Sequence, residues 1–124
     1  MWVFLPDCAV SIVAHRDHED SLLVRARLRG DLERFLAGCE EAGGVTETPD
    51  ADYRFRAVVQ RSVVGAILSD QAAGMEYDNF KNQVRPDEDL RHSWYYRAWQ
   101  SGLNCQESER RFEPPYWLEE PAEP

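Results

Sequence analysis

The chain predicts an α+β fold: a ββαββα-type antiparallel or mixed sheet with helices packed on one face, then a third helix and an extended C-terminal tail. Three observations carry this. Residues 22–29 alternate strictly, with Val24, Ala26 and Leu28 on one side and Arg25, Arg27 and Arg29 on the other, which is the period of a strand with one covered face. Leu32, Phe35, Leu36 and Cys39 then fall at i, i+3, i+4 and i+7, one apolar stripe of a helix. Residues 53–59 alternate again, ahead of a second helical pattern. Two ββα units in succession call for a sheet with helices laid against it.

In chain order, Trp2 to Leu5 and Ala9 to Ala14 are apolar runs around a Pro6-Asp7 turn, and the second run reads as a strand. The polar stretch 15–21 is the loop of a hairpin joining it to the strand at 22–29. Gly30-Asp31 ends that strand, with Asp31 as N-cap of the first helix, and Gly43-Gly44 stops the helix. Val45 to Thr48 is a short strand, Pro49 to Asp52 a turn, and 53–59 a longer strand. Ser62 caps a second helix carrying Val63, Val64, Ile67, Leu68 and Ala72 and ending near Gly74. The third helix is expected from about Asp87 to Leu103, with Leu90, Trp94, Tyr95, Ala98 and Trp99 as a broad aromatic face. This divides the chain into one α+β domain, 1–103, and an acidic, proline- and aromatic-containing tail, 104–124.

Composition limits the function classes. A length of 124 residues suits one core, and 43% apolar with 30% charged residues is a globular composition. Twenty-three acids against fourteen bases give a net charge of −9, so direct nucleic-acid binding is not expected of the chain as a whole. No run approaches a membrane span, and the apolar start lacks the basic flank of a secretion signal. Cys8, Cys39 and Cys105 are odd in number and widely spaced, which fits free thiols and a cytoplasmic location better than disulfides or zinc. No phosphate-binding glycine loop, nucleotide fingerprint or zinc signature is present, so no catalytic residue, metal ligand or cofactor is assigned.

The candidate binding residues are an arginine ladder and a tail motif. If the strands at 22–29 and 53–59 pair, Arg25, Arg27, Arg29, Arg54 and Arg56 share a face opposite Val24, Ala26, Leu28, Tyr53 and Phe55. Guanidinium forks match phosphates, carboxylates or an acidic partner. The competing reading is an exposed face whose arginines pair with Glu47, Asp52 or the acidic tail. In the tail, Pro114-Pro115-Tyr116-Trp117-Leu118 offers a stiff backbone with Tyr116 and Trp117 as anchors for a groove, or else a segment that packs on its own surface. His15 and His18 read as a solvated loop, since their spacing has no characteristic metal pattern. Tyr77, Phe80 and Val84 keep helical spacing and read as core plugs, with Asp78 as a cap.

The segments VRARLRGDLE (24–33), ETPDADYRFR (47–56) and EYDNFKNQV (76–84), followed by an aromatic helix, resemble an uncharacterised family of small bacterial proteins. In that family a strand-Arg-Gly-Asp-helix junction, an Asp-Tyr-Arg-aromatic-Arg strand and a Tyr-x-Asn-Phe-Lys segment recur in this order. The likeness covers roughly residues 9 to 103 and implies no activity or catalytic residue. The functional expectation is therefore a non-enzymatic, acidic protein-binding protein, in its sharpest form a phage- or mobile-element-type inhibitor, anti-CRISPR-like, that mimics nucleic acid towards a nucleic-acid-handling partner. A small enzyme or small-molecule-binding protein and a housekeeping subunit are the alternatives.

Overall fold

In the computed structural model, residues 1–39, 44–85 and 88–111 are described. The sheet has five strands, β1 (Trp2–Leu5), β2 (Cys8–Ala14), β3 (Ser21–Ala26), β4 (Thr46–Glu47) and β5 (Phe55–Gln60), in the order β1-β2-β3-β5-β4. Every neighbouring pair is antiparallel, as hairpin connections and alternating patterns dictate. The apolar run at Trp2 is thus a full strand. It turns at Pro6-Asp7 straight back into β2, pairing Leu5 with Cys8 and Trp2 with Ser11. Ile12 faces Val24 across β2 and β3, and Arg25 faces Arg56 across β3 and β5.

Two helices cover one face of this sheet, α1 (Arg29–Phe35) and α2 (Arg61–Ala73). Leu32, Phe35 and Leu36 from the first helical segment and Val64 from α2 join Val10, Ile12, Val24, Ala26, Ala57 and Val59 in one core. Leu32, Val24 and Val59 are fully buried, each contributing about 1.5–3 kcal/mol of apolar transfer. The first helix begins three residues earlier than expected, at Arg29, with Leu28 and not Asp31 as its N-cap. It also ends earlier. Leu36 closes it and Gly38 takes φ +81°, a left-handed position that glycine adopts at little cost. Cys39 therefore falls past the turn and is half-buried instead of completing the stripe. The Gly43 of the expected stop lies outside the described residues. α2 starts directly after β5, so Ser62 lies inside it and caps nothing.

The third helix, α3 (Asp89–Arg110), follows a short 3-10 turn at Phe80–Gln83. It runs seven residues past Leu103, so the first part of the segment expected as extended tail is helix. Only Arg91 and Tyr95 are buried in it. The broad aromatic face expected of it is accordingly narrow: Leu90 is 88% exposed, and Tyr96 and Trp99 stack on each other at 5.9 Å on the open side. Among the described residues no helix is long and apolar enough to cross a membrane.

Candidate functional site

Strand alternation sends Phe4, Ala9, Ser11, Arg25 and Arg56 to the sheet face that α1 and α2 leave uncovered. α3 covers one end of that face. Trp94 and Tyr95 pack edge-on and tilted against Phe4 at 5.9 and 5.2 Å, and Tyr95 stacks on Phe80 at 5.7 Å. With Ala9 and Val84 they form a second, smaller core. Phe80 and Val84 thus pack into this core as expected, whereas Tyr77 precedes the 3-10 turn, touches Phe80 and stays outside the core. Asp78 caps nothing, because Asn79 holds the N-cap position of the 3-10 turn and makes no side-chain cap bond.

α3 is fixed to the sheet by a buried ion pair. The Arg91 guanidinium donates to both carboxylate oxygens of Asp31, at 2.9 and 2.5 Å. It also donates to Tyr95 Oη at 3.1 Å and to Glu88. Asp31 Oδ2 further accepts from the Ala9 N–H at 2.9 Å, and Oδ1 accepts from Arg34 at 2.9 Å. The Tyr95 hydroxyl donates a hydrogen bond to the Leu5 carbonyl at 2.8 Å. Asp31 is fully buried and Arg91 nearly so. Asp31 is therefore not the N-cap that its position suggested; it sits in the first turn and ties β2, α1 and α3 together. Burial alone would depress the Arg91 guanidinium, but the hydrogen bonds it donates to Asp31, Glu88 and Tyr95 outweigh it and hold the pKa above the usual arginine range. Burial also pushes the Cys8 thiol up to about 12, with the nearby Asp7 and Asp31 adding to it, and the Tyr95 phenol up to about 12.

Beyond Trp94 the described residues leave the sheet face open. A groove of about 480 Å³ lies there, lined by Trp2, Phe4, Tyr53, Trp94, Arg27 and Arg97 among others. Trp2 is 75% exposed. A second hollow of about 720 Å³ adjoins it, sharing Arg27 and Trp94 and adding the exposed Leu28 and Leu90. Leu28 was expected on the covered side of the ladder. It is exposed because the strand ends at Ala26 and the chain bends before α1.

The same bend divides the arginine ladder. Arg29 belongs to α1, and with Arg54 it meets Glu47 at the sheet edge, at 3.6 and 2.8 Å. Both guanidiniums also lie over Phe55, at 5.0 and 5.7 Å. That half behaves as a salt-bridged surface. The other half does not. Arg25 and Arg27 lie over the Tyr53 ring at 4.6 and 4.4 Å, which places Tyr53 on the arginine face and not opposite it. Arg25 donates to Ser11 Oγ at 2.8 Å, while its buried Nε has no partner. Arg27 donates to the Asp52 carbonyl at 2.9 Å. Arg56 donates to the Tyr53 carbonyl and reaches the Asp52 carboxylate only at 4.0 Å, where that side chain is 71% exposed. Among the described residues no carboxylate pairs with Arg25, Arg27 or Arg97. Arg25 directly opposite Arg56 is a like-charged cross-strand pair, which by itself disfavours the sheet.

The structure places Arg25, Arg27 and Arg56 together around Tyr53, and beside them Trp2, Phe4, Trp94 and Arg97, which sequence reasoning did not group with the ladder. The missing signal was α3's docking on the second sheet face, which no local period encodes. The buried Arg91 had a faint one, an arginine four residues before Tyr95 on the helix's apolar side. The tail anchors Tyr116 and Trp117 lie outside the described residues. His15 and His18 form a turn, with His15 Nδ1 accepting from the Asp17 and His18 N–H groups, and no three potential metal ligands cluster among the described residues. No family model matches this chain, and neither a curated protein nor a solved structure does.

Proposed function

We propose that this chain is a non-enzymatic binding protein that takes an extended, acidic, aromatic-bearing segment of a protein partner into the groove between α3 and the open sheet face. The observation that carries this is the coincidence of uncompensated arginines with exposed aromatic rings. Arg27 and Arg97 line a wall built from Trp2, Phe4, Tyr53 and Trp94, with Arg25 behind Tyr53. Tryptophan, tyrosine and arginine are the side chains that dominate protein-binding hot spots. A carboxylate arriving there would meet Arg27 already stacked on Tyr53, beside Arg97 on α3, neither paired with a carboxylate among the described residues, so less ordering is left to be done at binding.

The adjoining hollow favours a chain segment over a small molecule. Two adjoining hollows that share Trp94 and Arg27 suit two successive anchors on one extended strand, the second an apolar side chain at Leu28 and Leu90, since Glu88 and Asp89 also line that hollow; a single compact ligand would leave Leu28 and Leu90 uncovered. The inhibitor form of the reading, a nucleic-acid mimic, draws on net charge alone. Seven of the 23 acids and none of the 14 bases fall outside the described residues, leaving sixteen acids against fourteen bases within them, so its support comes mainly from the segment after Arg111.

The test is selection of extended peptides from a random library against the full chain. Enriched sequences should combine Asp or Glu with an aromatic or large aliphatic residue. Their affinity should fall at least about tenfold in the Arg97→Glu variant, a loss of roughly 1.4 kcal/mol, and should fall again as salt screens the arginines. Recovery of no peptide, or of peptides indifferent to Arg97→Glu, overturns the reading. Binding of a single-stranded oligonucleotide through the same residues would replace it with a nucleic-acid site.

A further inference from the structure

The chain carries a segment with the chemistry its own groove calls for. Residues 112–124, FEPPYWLEEPAEP, hold four glutamates and no Lys or Arg, together with Phe112, Tyr116, Trp117 and Leu118. We propose that this segment is the groove's intramolecular ligand, with Tyr116 and Trp117 at the aromatic wall and Glu119 and Glu120 against Arg27 and Arg97. The proposal rests on the groove reading above and makes the tail a regulator of it. A partner segment must displace the tail before it can bind.

Three observations point to this occupant. The first is charge. Arg25, Arg27 and Arg97 have no carboxylate partner among the described residues, and four glutamates with no opposing base follow Arg111. The second is reach. Ser101 lines the groove on α3, and the helix ends at Arg110, nine residues or about 14 Å farther along its axis. Tyr116 and Trp117 follow Arg110 by six and seven residues, a reach of up to about 20–25 Å in extended form, enough to turn back past Ser101 into the groove. The third is shape. Pro114-Pro115 presets an extended, low-entropy backbone immediately before the two aromatic anchors, and an exposed tandem of apolar hollows takes an extended strand bearing adjacent anchors.

An intramolecular ligand competes at an effective concentration set by its tether, in the millimolar range for a short link. A probe binding the same groove from solution should therefore be weakened in the wild type and released from that competition when the tail anchors are removed. The probe is a fluorescein-labelled peptide of residues 112–124, titrated into the full-length wild type, the full-length Tyr116→Ala/Trp117→Ala variant, and that variant with Arg97→Glu added. The tail-substituted chain should bind the probe at least about tenfold tighter than the wild type, and Arg97→Glu should abolish the gain. Unchanged circular dichroism in all three chains confirms that the exposed substitutions leave the fold alone. Equal binding by the wild type and the tail-substituted chain overturns the proposal, as does no binding to either. Probe-independent dimers of the wild type that vanish in the tail variant would assign the tail to the groove of a second copy, and the intramolecular form would fall. If the probe fails while library-selected peptides still bind through Arg97, the tail proposal falls and the groove reading stands. If those peptides are indifferent to Arg97, both fall.

Discussion

Asp31 and Arg91 stand sixty residues apart and are joined by two hydrogen bonds in a buried site. Ala9 N–H and Arg34 also donate to the Asp31 carboxylate, while Glu88 and Tyr95 accept from the Arg91 guanidinium. Truncating Arg91 to alanine would strand the Asp31 carboxylate without its main counter-ion, and removal of one member of such a pair costs about 3–5 kcal/mol. Urea unfolding of Arg91→Ala should show that loss, whereas a change below about 1 kcal/mol would mean that water satisfies Asp31. Cys8 and Tyr95 next to this cluster predict an alkaline weakness. Both pKa values are raised by burial, from 9.0 and 10.0 to about 12. The folded state thus keeps protons that the unfolded chain releases. Their contribution is intact below pH 9 and is lost as pH rises towards 12, with Cys8 acting alone up to about pH 10. The slope there approaches about 1.4 kcal/mol per pH unit. Cys8→Ala should flatten the stability profile in that interval, and an unchanged slope would place the effect elsewhere. Little of this was legible in the sequence. Asp31 after a glycine looks like a helix cap, because its distant partner gives no local sign.

At the scale of elements, the alternating and helical periods located β2, β3, β5, α1 and α2, since each has one face against a common core. β1 was harder to read because a four-residue run before a proline has too little length to show its period. The arginine ladder exposes the limit of period-two reasoning. Alternation persists through residue 29, but the strand ends at Ala26 and α1 begins at Arg29, so Arg29 and Arg54 turn to the edge and meet Glu47. This division makes a prediction. Glu47→Gln should lower stability by less than about 1 kcal/mol, and less still at high salt, because Glu47 and both arginines are substantially exposed. It should leave peptide binding unchanged, as neither arginine lines the groove. A parallel loss of binding would mean that the ladder acts as one surface after all. α3 gave the opposite surprise: a helix rich in aromatics that buries only one of them fully and leaves the rest on or beside an open face.

The whole molecule is a sheet with two unlike faces. One is closed by α1 and α2 over a continuous apolar core; among the described residues the other is closed only at one end by α3, which the Asp31–Arg91 pair pins in place. The open remainder gathers aromatic rings and arginines that lack carboxylate partners among the described residues. Net charge misleads at this scale, because a chain at −9 carries a groove lined by arginines and aromatic rings among its described residues. The most direct test of that groove is an NMR titration of the isotopically labelled full chain with a library-selected acidic aromatic peptide. It follows arginine Nε–H and tryptophan indole signals in the wild type and in the Tyr116→Ala/Trp117→Ala chain. Shifts should concentrate on Arg25, Arg27, Arg97, Trp2 and Trp94 and should saturate together, while Arg29 and Arg54 at the Glu47 edge stay still. Shifts centred on that edge, or spread evenly over all the arginines, would contradict the account.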